Sequence, residues 1–164
     1  MPQGEPLQAG DRLPYLLLPS AADGSRQTLY TKSGLSPVVL LLHGVHCSSC
    51  RAYAEQLVAA RKALQEWDGQ MVMVVANSLA NATLWQAQLH QQGGACLRVL
   101  ADPEQRAAGM CGMQPPALLI ADQWGVLYFV EEAGSGHQFS SPAEVVEWVR
   151  FIAIQCPECQ AEAL

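Results

Sequence analysis

Cys47-Ser48-Ser49-Cys50 stands directly behind the apolar run Pro37-Val38-Val39-Leu40-Leu41-Leu42. Two thiols three residues apart on one helical turn can close a disulfide with each other and reopen it, so the spacing points to two-electron exchange. The strand-then-helix context predicted around the pair strengthens that reading. At a helix N-terminus the unpaired backbone N–H groups and the macrodipole favour an anion, so a thiol there ionises more readily and becomes a nucleophile. His46, next to Cys47, is a candidate proton acceptor near neutral pH. Near the C-terminus, Cys156-Pro157-Glu158-Cys159 is a second pair and a candidate relay disulfide that exchanges with the first.

The same residue types suit zinc, since His43, His46, Cys47 and Cys50 cluster and the C-terminal pair offers another knuckle. The two pairs are more than a hundred residues apart, however, and strand alternation would turn His43 into the sheet. The redox reading is therefore preferred, and no metal or other cofactor is expected. Cys96 and Cys111 read as small apolar residues packed in a core.

Composition sets the bounds. A chain of 164 residues can bury a proper core without structural disulfides and suits one domain, taken here as residues 1–155 with a tail at 156–164. Half the residues are hydrophobic and 15% are charged, which excludes a disordered chain. A net charge of −6 argues against nucleic acid or an anionic membrane as partner. The first residues, Met1 to Pro6, have neither the basic region nor the apolar core of a signal peptide, and no apolar run reaches membrane-spanning length. The expected compartment is the cytoplasm. Six cysteines in a reducing compartment are poor candidates for structural staples, which again favours redox chemistry or metal binding.

The elements that must position the dithiol can be read from periodicity and punctuation. Leu13 to Leu18 and Gln27 to Tyr30 flank a turn at Ala22-Asp23-Gly24. A central strand follows at residues 37–43, and a helix from about Arg51 to Trp67 carries Ala54, Leu57, Val58 and Leu64 on one face. Met71 to Ala76 reads as a buried strand, Leu79 to Gln91 as a helix and Leu97 to Leu100 as a short strand. Asp102 is the predicted N-cap of a helix starting at Pro103 and ending near Gly112. Strands at 117–121 and 126–130 enclose the turn Asp122-Gln123-Trp124-Gly125. Ser141-Pro142-Ala143-Glu144 has the layout of a capping box opening a last helix to about Ile154. Early strands joined through helices imply a parallel centre, and the late hairpin adds antiparallel strands. The dithiol then lies at the carboxyl end of a central strand, where open α/β sheets place their chemistry.

Strand, CxxC, helix and strand, followed by Met113-Gln114-Pro115-Pro116-Ala117-Leu118-Leu119-Ile120, resemble the thioredoxin fold, with Pro116 standing where that superfamily keeps a cis-proline. Within it the chain resembles the redoxin branch, which groups alkyl hydroperoxide reductase/thiol-specific antioxidant (AhpC/TSA) domains with TlpA-like thiol–disulfide oxidoreductases. Gly10-Asp11-Arg12-Leu13-Pro14 is similar to the opening of the family. The helix and strand at roughly 80–100 are similar to its insertion, and Pro116 to Asp122 with Trp124-Gly125-Val126 to its P-A-T-F-L-I-D-x-x-G stretch. His43 to Arg51 is similar to the R-G-x-W-C-P-Y-C-R of one subgroup. The resemblance implies an α/β, thioredoxin-like, three-layer sandwich with a mixed central sheet and an α-β insertion.

It also implies roles. Cys47 would attack a protein or small-molecule disulfide, Cys50 would resolve the mixed disulfide, and Pro116 would lie against the sulfurs. An unidentified thiol would supply electrons, in antioxidant or thiol-repair chemistry. Two alternatives stand beside this: an AhpC/TSA peroxidase using Cys47, and a non-catalytic zinc- or protein-binding module. The departures bear on the choice. Typical peroxiredoxins carry P-x-x-x-T-x-x-C and a later Arg that polarise the peroxide. With Cys47 as reactive thiol the Thr position is Gly44; with Cys50 it is Cys47; and the Arg position is Pro116. The buried carboxylate that thioredoxins keep six residues before their first cysteine is Leu41 here.

Overall fold

The computed structural model describes residues 4–30, 34–93, 97–134, 136 and 138–155. The proposed tail with Cys156 and Cys159, and also Cys96, lie outside the described residues.

The apolar run behind the CxxC is strand β3 (Ser36–Leu42), buried along its whole length. A strand apolar on both faces is stable only where both are covered, as in the centre of an α/β sheet. β3 occupies that centre. The five-stranded order is β5-β4-β3-β6-β7, built from β4 (Gly69–Val75), β5 (Leu97–Ala101), β6 (Ala117–Ala121) and β7 (Leu127–Glu132). β3, β4 and β5 run parallel, with Val38 opposite Met71 and Met71 opposite Leu97. β6 and β7 are antiparallel additions, with Leu41 opposite Ala117 and Ile120 opposite Phe129.

Alternation along the strands divides the core in two. Val38, Leu40, Leu42, Met71 and Met73 pack with Leu57, Trp85 and Val149, which belong to α1 (Ser48–Ala59), α3 (Leu79–Gln91) and α5 (Pro142–Ala153). Val39, Leu41, Val72 and Val74 pack on the other face with Leu16, Leu29 and Cys111, the last from α4 (Arg106–Cys111). The result is the expected three-layer arrangement, with α3 and β5 as the insertion. The N-terminal segment completes the second face. Its hairpin, β1 (Leu18–Pro19) and β2 (Arg26–Gln27), is tied to β5 by Arg98, whose guanidinium donates to the Thr28 and Leu29 carbonyls at 2.8 and 3.2 Å. Among the described residues, no helix is long and apolar enough to cross a membrane.

Two helices differ from the sequence expectation. The one behind the CxxC begins at Ser48 rather than Arg51 and breaks at Ala60 into α1 and α2 (Arg61–Glu66). The break lets α2 lie against the start of β4, where a Cβ on Gly69 would stand 2.9 Å from the Leu64 carbonyl oxygen. α4 begins at Arg106, not Pro103. The Asp102 carboxylate does cap it, but it accepts from the N–H groups of Arg106 and Ala107, at 3.0 and 2.8 Å. That reach leaves residues 103–105 as a turn closed by Gln105 at φ 53°. The capping box at α5 forms as expected: Ser141 Oγ accepts from Glu144 N–H, and the Glu144 carboxylate accepts from Ser141 N–H.

Candidate active site

Beyond Leu42 the chain leaves the sheet in a tight turn. Cys47 N–H donates to the Gly44 carbonyl at 3.3 Å, and Asn77, just past the end of β4, accepts from Val45 N–H at 2.7 Å through Oδ1. Glycine at 44 makes this pin fit, because a Cβ there would stand 2.8 Å from the same Asn77 oxygen. The turn delivers Cys47 to the N-cap of α1, in extended conformation at φ −74°, ψ 109°. Its Sγ accepts from Cys50 N–H at 3.4 Å and its carbonyl from Arg51 N–H at 3.0 Å. A cysteine thus does what Ser or Asp does at an ordinary N-cap, and a negative charge on its sulfur would meet a backbone donor and the positive end of the helix.

The two thiols have different surroundings. Cys47 is half-buried, whereas Cys50 is fully enclosed, at 0% exposure, among the α1-side core residues. Burial pushes the Cys50 thiol up to about 12, and the adjacent Cys47 adds to this; a backbone hydrogen bond with His43 works in the opposite direction. At that value roughly one Cys50 in 10^5 is ionised at pH 7. An exposed-side thiol and a protonated, enclosed partner one turn away form an ordered pair rather than two equivalent groups.

A third group joins them. The sulfurs of Cys47 and Cys50 and a ring nitrogen of His43 all lie within 4.8 Å of one another. The expectation that His43 faces into the sheet is therefore corrected: its side chain is exposed. β3 ends at Leu42, so the alternation that would have buried residue 43 no longer applies. His46, expected beside the reactive thiol, stands outside this group; it is exposed and lines a hollow with Val45, Arg51, Asn81 and Trp85. His43, named from the sequence as a possible zinc ligand but turned into the sheet by alternation, is the histidine that joins the two thiols. Its signal was its place between the last strand residue and a glycine, where a side chain escapes strand periodicity.

Pro116 is buried, and the Pro115–Pro116 peptide is cis. Ala117 pairs with Leu41, so Pro116 stands beside the carboxyl end of β3, the end from which the CxxC turn departs. Its carbonyl accepts from Ala133 N–H at 3.0 Å. Cys111 is a free thiol buried in the opposite core, and burial pushes it up to about 12. It packs as a small apolar residue, as expected, and takes no part in the Cys47–Cys50 site. Cys47 and Cys50 are likewise free thiols.

Known proteins share this architecture. The AhpC of Mycobacterium bovis superposes with a TM-score of 0.76 at 16% identity, over 94% of this chain and 98% of its own. The peroxidoxin BcpB of Mycobacterium tuberculosis gives 0.71 at 16% identity, over 92% and 99%. A thiol peroxidase from Chromobacterium violaceum gives 0.69 at 19% identity, over 90% and 89%. At such identities the likeness establishes the fold, which is thioredoxin-like. No curated protein matches the sequence. The sequence model described as the AhpC/TSA family matches residues 9–135, from the N-terminal segment through β7, and with most of the chain so covered the protein belongs to the AhpC/TSA family.

Proposed function

We propose that the chain is a thiol–disulfide oxidoreductase in which Cys47 attacks and Cys50 resolves. The observation that carries this reading is the asymmetry of the pair: a half-buried sulfur at a helix N-cap, with a fully enclosed, protonated sulfur close behind it. The Cys47 thiolate attacks one sulfur of a substrate disulfide, forming a mixed disulfide and expelling the other sulfur as a thiolate. Cys50 then loses its proton and attacks the Cys47 sulfur, which releases the second substrate thiolate and leaves a Cys47–Cys50 disulfide. Two electrons have passed to the substrate, and an external thiol returns them. His43, close enough to the Cys50 sulfur to act through one water, is the group on the protein to take its proton, in the place of the carboxylate that Leu41 replaces. Pro116 borders the same end of the sheet and forms one wall for the substrate.

Family membership favours a second reading, a peroxidase using Cys47. Against it stands the position of the peroxide-aligning hydroxyl. Residue 44 is glycine, and the Asn77 oxygen occupies the space into which a side chain would extend. Positioned donors of this kind supply much of the rate in such reactions. One experiment separates the two. A Cys50→Ser variant should accumulate a mixed disulfide on Cys47 with a protein or small-molecule disulfide, identified by mass spectrometry, and should consume hydrogen peroxide slowly. Rapid, saturating peroxide reduction that survives Cys50→Ser, with no trapped mixed disulfide, would replace the first reading with the second.

A further inference from the structure

The cluster of His43, Cys47 and Cys50 has the composition of a metal site as well as a redox site. We propose that, with both thiols reduced, it binds one zinc ion through Cys47 Sγ, Cys50 Sγ and a His43 ring nitrogen. Two thiolates and one imidazole are a donor set that zinc accepts, and three protein ligands leave one of its four positions for water. The geometry is close to what binding requires. In tetrahedral zinc, with Zn–S about 2.3 Å and Zn–N about 2.0 Å, neighbouring ligand atoms lie roughly 3.5–3.8 Å apart. The three atoms here are already gathered within 4.8 Å, so shifts of about 1 Å, within reach of side-chain rotation, close the site.

The elements that hold the ligands are themselves fixed. Cys50 lies within the first turn of α1, Cys47 caps it, and His43 directly follows the central strand, while Asn77 pins the intervening turn. His46 is not part of the proposed ligand set, because it stands outside the cluster. The site is also conditional. Closing the Cys47–Cys50 disulfide removes two electrons and both thiolate ligands at once, so the ion binds the dithiol form and leaves the disulfide form. Zinc and a disulfide substrate therefore compete for the same sulfurs.

The test reads metal rather than activity, so its outcome is independent of whether the chain reduces disulfides. A full-length Cys156→Ser/Cys159→Ser variant, which removes the other CxxC as a competing ligand, is reduced and titrated with zinc against a chromophoric chelator. Cobalt substitution then reports thiolate ligation through its charge-transfer absorption. The expected result is one zinc per chain, lost on oxidation to the Cys47–Cys50 disulfide. His43→Ala should weaken binding by at least about 100-fold, more than the loss of an outer partner costs, while His46→Ala should leave it in place. Circular dichroism of His43→Ala separates loss of a ligand from loss of fold, since residue 43 is exposed. Absence of stoichiometric binding, binding indifferent to His43→Ala in a folded variant, or equal binding by the oxidised form would each overturn the proposal.

Discussion

Enclosure of Cys50 should be measurable as suppressed alkylation, with the same residue in unfolded protein as its own standard. An ordinary cysteine of value 9.0 is about one-tenth thiolate at pH 8, while Cys50, at about 12, is roughly 10^-4 ionised. The thiolate population thus falls about 10^3-fold, equivalent to about 4 kcal/mol. A more basic thiolate is also a better nucleophile, and over three units this recovers about 20- to 30-fold. The net expectation is alkylation about 30- to 50-fold slower in the folded protein than in urea, before any further slowing from a sulfur with 0% exposure. The assay is pulsed iodoacetamide labelling of reduced protein at pH 8, with and without urea, quantified on the peptide carrying both cysteines by fragmentation. Raising the pH in the native protein should increase Cys50 labelling about tenfold per unit up to pH 11, whereas the unfolded standard should level off near 9. Cys50 labelled at nearly the unfolded rate, or levelling off near pH 9 while folded, would refute the argument and with it the division of labour between the two thiols.

Three further outcomes follow from the packing. Burial raises the Cys111 thiol above its unfolded value of 9.0, so its contribution to stability is complete below pH 9 and lost as the pH rises toward 12, at about 1.4 kcal/mol per unit. Urea melts at pH 8 and 11 should show Cys111→Ala losing about 2–3 kcal/mol less than wild type between those conditions; an equal loss would mean that the thiol ionises normally. Gly44→Ala should destabilise by about 1–3 kcal/mol through the 2.8 Å approach to Asn77, and the penalty should shrink in an Asn77→Ala background, where strict additivity of the two melts would contradict the contact. Asp102→Ala should cost about 2 kcal/mol, because a carboxylate at 2% exposure caps two N–H groups of α4; a change under about 0.5 kcal/mol in thermal melts would show the cap to be dispensable.

Much of this structure was legible along the chain because its causes are local. An apolar run of strand length followed by Cys47-Ser48-Ser49-Cys50 specifies a buried strand feeding a helix N-terminus, and Ser141 to Glu144 carry their own capping chemistry. Asp122 likewise closes its turn alone, accepting from Trp124 and Val126 N–H at 2.9 and 3.0 Å. Even the paired face assignments of Val38 and Val39 follow from a period of two. Such features depend on neighbours a few residues away, and residue type alone encodes them.

Which histidine meets the thiols did not depend on neighbours of that kind. His43 and His46 flank the same turn, and carrying the period-two alternation of β3 on to residue 43 turned that side chain into the sheet, whereas the chain leaves the alternation after Leu42 in a turn pinned by Asn77 from beyond the end of β4. The late start of α4 has a related origin: the Asp102 carboxylate bonds forward to Arg106 and Ala107, a reach that Pro103 in the string does not announce. The difference between Cys47 and Cys50 is tertiary as well. The sequence makes them a pair one turn apart, but one sulfur is fully enclosed because it lies on the buried side of α1, the side that also carries Tyr53, Ala54, Leu57 and Val58 into the core. Burial, and the cost of charge that comes with it, belongs to the assembled core, since no single segment can exclude water by itself.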